Sequence, residues 1–128
     1  MSLLIGVHIH GVLSADEDVK SIVEDRIFPV VVPEHTDKSF VVYDGISVVG
    51  EYTKDGLIGD VTNVSVKCVS NKFDTVSRLA ENARIALEDC KKGYEGYSVE
   101  GAELKNSSVE YESGLYIFVL NFEFQTNY

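Results

Sequence analysis

Apolar and polar residues alternate most cleanly over residues 60–70. Thr62, Val64, Val66 and Cys68 fall on one side there, and Asn63, Ser65 and Lys67 on the other. That two-residue period is the mark of a strand with one buried face. Residues 115–126 repeat it with Tyr116, Phe118, Leu120, Phe122 and Phe124. The opposite face of this second strand begins apolar (Leu115, Ile117, Val119) and ends polar (Asn121, Glu123, Gln125), so it should be covered along part of its length by another chain or element. Residues 74–90 follow the helical period instead, with Val76, Leu79, Ala80, Ala83, Leu87 and Cys90 in one stripe. Asp74 suits the N-cap, Lys91 and Lys92 the negative end, and Gly93 the residue just past it. Ile85 falls off this stripe among Glu81, Asn82, Arg84 and Glu88, which predicts an exposed isoleucine.

The remaining segments carry weaker signals. Residues 40–49 are apolar and β-branched, a strand. Residues 50–60 contain three glycines and the pair Asp55-Gly56, and read as the long tip of a hairpin. Residues 97–112 read as an irregular strand bent or bulged at Gly101, with Ser113-Gly114 turning into the last one. Ser14-Ala15-Asp16-Glu17 has the form of a capping box, so Ser14 should open a short helix that carries Val19, Ile22 and Val23 inward and stops before Pro29. Residues 30–39 read as a loop. Residues 2–13 are ambiguous. Ile5, Val7 and Ile9 alternate like a strand, while Leu4/Ile5, Ile9 and Val12/Leu13 also fit a helical stripe. Two glycines would cost such a helix about 1 kcal/mol each, which tilts the local reading toward strand.

Length and charge narrow the function. At 128 residues one domain spanning 1–128 is expected, and it can bury roughly two-thirds of its unfolded surface in one core. Lys and Arg number 11 against 21 Asp and Glu, a net charge of −10 that opposes adhesion to DNA or anionic membranes. No basic stripe is visible, and no apolar run approaches the ~20 residues of a membrane span. Leu3-Leu4-Ile5 lacks the basic flank of a secretory leader. The two cysteines, Cys68 and Cys90, sit in apolar patterns and read as buried thiols in a reducing compartment.

Candidate chemistry is sparse. His8 and His10 have metal-like spacing only on a strand, and no third ligand joins them. They read as partly exposed histidines. Asp16-Glu17-Asp18 and Glu24-Asp25 are explained by helix ends. The glycine-rich run over residues 54–60 lacks the Gly-Lys-Ser/Thr of a phosphate loop and the alternating ligands of a calcium loop. No catalytic residue, cofactor site or metal site is expected.

One sequence of features is more telling. Leu13 precedes the short helix with Ile22-Val23. Arg26-Ile27-Phe28-Pro29, Pro33 and Phe40-Val41-Val42-Tyr43 follow, and then the Val64-Val66-Cys68 strand, the Ala80/Ala83/Ala86-Leu87 helix and the aromatic last strand. In this order the chain resembles the tail-completion, or head–tail joining, proteins of long-tailed bacteriophages. The resemblance implies a helix over residues 2–13. The expected fold is then α+β, in the order α-α-β-β-α-β-β, with a mainly antiparallel four-stranded sheet and helices packed on one face.

The resemblance also implies a structural virion part and not an enzyme. Such proteins cap the tail tube and meet the head connector, commonly as a ring of six crossed by DNA. The implied partners are copies of the chain itself, tail-tube proteins and head-connector proteins, with no membrane. The implied location is the host cytoplasm during assembly and then the virion neck. Six copies would multiply an already negative charge, giving a lumen along which DNA slides without sticking. Function would then lie in surfaces. Tyr52, Leu57 and Ile58 at the hairpin tip and Ile85 on the helix are the candidate interface residues. Alternative readings are another neck or tail-tube component, or a small-ligand module with a pocket between helix and sheet.

Overall fold

A computed structural model describes residues 2–89 and 91–128. Residues 2–13 are helical. A 3-10 turn (Ser2–Leu4) leads into α1 (Ile5–Ala15). Ile5, His8, Ile9 and Leu13 are buried on its inner side, whereas Val7 is 69% exposed. The period that counts is therefore four, and the alternation of Ile5, Val7 and Ile9 is incidental. Burial of three large apolar side chains outweighs the two glycines, at about 1.5–3 kcal/mol each. The chain then turns into α2 (Glu17–Val23). Its N-cap is Asp16 and not Ser14, since Asp16 Oδ1 accepts the Val19 N–H at 3.0 Å.

The sheet has six strands, β1 (Ile27–Pro29), β2 (Phe40–Thr53), β3 (Gly56–Ser70), β4 (Lys92–Tyr94), β5 (Tyr97–Glu112) and β6 (Leu115–Asn127), in the order β1-β2-β3-β6-β5-β4. It is mixed, because β1 runs parallel to β2. This corrects the expected four-stranded sheet with helices on one face. The two additional strands are three residues long, too short to show a period, and each ends the sheet at one side. Pro29, which lacks an N–H, is tolerated on such an edge. The expected hairpin tip over residues 50–60 is also corrected. β2 and β3 stay paired to Thr53 and Gly56, so only Lys54 and Asp55 lie between the strands. The helix α3 (Phe73–Glu88) begins one residue before Asp74, with Lys72 at the cap position, and Gly93 belongs to β4 rather than to a helix end. Cys90 lies outside the described residues.

The central pair β3–β6 carries the core. Val64 faces Phe122 and Val66 faces Leu120 across the ladder. Val76, Leu79, Ala83 and Leu87 of α3 complete a cluster with Ile9, Leu13, Val19, Val23, Val41 and Phe124. A second cluster joins Phe40, Val42 and Val69, with Phe28, Val32, Leu115 and Ile117 against it. The apolar half of the outer β6 face is thus partly covered from within the chain, by the segment around Phe28 and Val32. Gly101 sits at a register shift with φ +104°, the expected bulge. Ser113 and Gly114 both have positive φ, as a two-residue hairpin turn requires.

Arg26 explains why its motif is informative. Its Nε donates to the Ser39 carbonyl at 2.8 Å and a terminal nitrogen donates to the Ile22 carbonyl at 3.2 Å. Its own carbonyl accepts the Val41 N–H at 3.0 Å. One residue thus ties the end of α2 to the entry of β2 across the intervening loop. Arg26→Ala should lower stability by about 1–3 kcal/mol, as expected for charge-assisted bonds. Arg26→Lys should recover only part of this, because an ammonium cannot span both carbonyls as a fork does. Urea midpoints of the two variants test it.

Candidate assembly interface

Four residues were expected at an interface, and the fold places three of them at the paired end of β2 and β3 and the fourth on α3. Tyr52 is 73% exposed and pairs across the ladder with Leu57, and Ile58 is exposed beside it at the β2–β3 end. The Tyr128 N–H donates to the Ile58 carbonyl at 3.1 Å, so the last residue of the chain is anchored at this end. Tyr128 also hydrogen-bonds the buried Asp60 carboxylate through its hydroxyl. Ile85 stands 57% exposed on α3, where it borders a hollow of about 460 Å³ with His8, Val12, Lys92 and Tyr94. None of the hairpin residues lines that hollow.

A larger apolar feature was not read from the sequence. Leu3, Gly6 and Val7 of the first helical segment face Pro29, Val30, Tyr43 and Ile46 across a groove of about 590 Å³. Leu3 and Val30 are exposed in it, and Ile46 approaches Gly6. Toward the opposite edge of the sheet, Val109 and Tyr111 project from β5 at 46% and 65% exposure. Val7 lies off the Ile5/Ile9/Leu13 stripe, as Ile85 lies off the α3 stripe. The same signal could have marked it.

His8 is buried and not partly exposed as expected, while His10 stays at the surface. His8 Nδ1 lies 2.7 Å from the Tyr94 hydroxyl, and its ring sits edge-on to Tyr94 and Phe124. Lys92 lies over the Tyr94 ring at 5.2 Å. Burial, and then the nearby Lys92 charge, push the His8 pKa below its ordinary 6.5. The unfolded chain therefore takes up a proton near pH 6.5 that the folded chain resists to lower pH. Stability supplied by neutral His8 is complete above that value and is lost as pH falls below it. The drop in melting temperature on acidification should be smaller in His8→Gln than in the parent chain.

Among the described residues no group of three or more His, Cys, Asp or Glu could hold a metal ion. Cys68 is fully buried, and burial pushes its thiol up to about 12, far from a nucleophile's range. No described helix is long and apolar enough to cross a membrane.

Comparison with known families places residues 7–127 on the model of the tail completion protein gp17. The chain belongs to this family. Among solved structures, a chain from the virion of a native gene transfer agent particle matches it with a TM-score of 0.81. The match covers 94% of this chain and 92% of that one at 17% identity, so it speaks for the fold. No curated protein sequence matches the chain. Membership in the tail completion family makes this chain a structural component of a phage-type tail.

Proposed function

We propose that this tail completion protein closes the end of the tail tube and joins it to the head connector, as a ring of copies around the path of the DNA. The observation that carries the reading is the family match over nearly the whole chain. Two features fit it: apolar side chains exposed at the hairpin end, on α3 and in the α1 groove, and a charge of −10 that repels phosphate. Tyr52, Leu57 and Ile58 would meet one neighbouring layer of the particle, and Ile85 a flanking surface.

Deletion of the gene in the phage that carries it tests this. The expected products are DNA-filled capsids beside separate, unjoined or overlong tails, restored to joined particles by the gene in trans. Particles with a normal complement of joined tails would refute the reading. Loss of tails altogether would assign the chain to the tube itself.

A further inference from the structure

We propose that the free edge of β2 receives the free edge of β5 from a second copy of this chain, so that the sheet continues across the subunit boundary and Val109 and Tyr111 of the second copy seat in the α1 groove. This names the contact between copies and rests on the ring reading above.

The edges come first. β1 pairs with β2 only at Val41, Val42 and Tyr43, so residues 44–53 have a ladder partner on the β3 side alone among the described residues. β4 pairs with β5 only at Tyr97, Ser98 and Val99, so residues 101–112 have ladder partners on the β6 side alone among the described residues. Each open stretch runs about 30 Å or more at ~3.3 Å per residue. Long open edges template the addition of another strand.

The two edges also match in direction, face and chemistry. β2 is antiparallel to β3, β3 to β6 and β6 to β5, so β5 runs opposite to β2. Placed beside the β2 of a second copy in one continuing sheet, β5 makes an antiparallel joint. Val109 lies opposite Phe118 and Tyr111 opposite Tyr116, which puts both on the core side of the sheet. Ile46 is on that side too, since it approaches Gly6 of α1. A joint shifted along β2 past β1, so that it meets the open residues 44–53, carries Val109 and Tyr111 toward the groove that opens where β1 ends and the free part of β2 begins. That groove is lined by Leu3, Val7, Pro29, Val30, Tyr43 and Ile46, almost wholly apolar. A β2–β2 joint would close as a dimer and leave Val109 and Tyr111 uncovered. The β5–β2 joint uses two different surfaces and so propagates from copy to copy, as a ring of copies requires.

Charge sets the salt at which the joint is tested. Asp44 is paired with Lys67 and Glu103 with Lys105, whereas Glu51 on one strand and Glu110 and Glu112 on the other form no ion pair among the described residues. These like charges oppose the joint at low salt, and screening relieves them.

Sedimentation of the full chain at rising concentration and high salt tests the joint. Val7→Asp blocks the groove and Tyr111→Asp blocks the incoming edge. Both positions are exposed, so unchanged melting temperatures verify the fold. The parent chain should associate, and each variant should associate about tenfold or more weakly. An equal mixture of the two variants should stop at a dimer, because the Val7→Asp copy keeps its β5 edge and the Tyr111→Asp copy keeps its groove. Association unaffected by either change, a mixture no better than its components, or a parent chain monomeric throughout would overturn the proposal. The deletion phenotype tests the neck role separately and is unmoved by any of these results.

Discussion

Phe122→Ala should destabilise the fold by about 3–5 kcal/mol, the usual cost of emptying a buried phenylalanine site. β6 lies between β3 and β5, and Phe122 stands opposite Val64 on one and Leu104 on the other. It is 1% exposed, and its ring centroid is 6.2 Å from that of Phe124. A strand bonded on both sides cannot easily shift to close the space, so the cavity term adds to the lost transfer energy. Domains of this kind hold about 5–15 kcal/mol in all, so the change removes a large share. Urea denaturation should show a much lower midpoint with an unchanged slope. A shift equivalent to under about 1 kcal/mol would mean that Phe122 is not at the centre of the core.

Elements with long, regular patterns could be read from the sequence. The Thr62/Val64/Val66/Cys68 side of β3 and the Leu120/Phe122/Phe124 side of β6 are buried as their alternation requires, and the α3 stripe is buried as its helical period requires. Failure came where local composition and tertiary pairing disagree. Gly50, Gly56 and Gly59 look like a loop, yet β2 and β3 pair through them because each strand supplies the other with hydrogen bonds that a loop would give to water. β1 and β4 exist only by virtue of their neighbours, since three residues cannot bury a face alone. In α1 two periods competed, and only the position of the core decides that Ile9 and Leu13 go in while Val7 stays out.

The candidate surfaces divide in the same way. Ile85, Tyr52, Leu57 and Ile58 could be singled out because each breaks a pattern within its own segment, and all four are exposed. The α1 groove could not, because it joins residues 3–11, 29–30 and 43–46, which only the fold brings together. The open edges of β2 and β5 depend on how short β1 and β4 are, and no residue announces that.

Leu79 and Ile85, two aliphatic residues on one helix, separate the demands of folding from those of assembly. Leu79 is fully buried in the main cluster, so Leu79→Ala should cost about 2–5 kcal/mol. Ile85 is more than half exposed, so Ile85→Ala should change stability by no more than about 0.5 kcal/mol. In complementation of the deleted gene the order should reverse at permissive temperature. Leu79→Ala should restore joined particles wherever enough chain remains folded, and fail on warming. Ile85→Ala should fold normally at every temperature yet restore fewer joined particles if its side of α3 meets a partner. Hydrogen exchange on the isolated chain supplies the control, with slow exchange through the middle of α3 in the parent and in Ile85→Ala and faster exchange in Leu79→Ala. An Ile85→Ala chain that folds normally and complements fully would remove that residue from the interface. An unprotected α3 in the parent chain would overturn the core assignment itself.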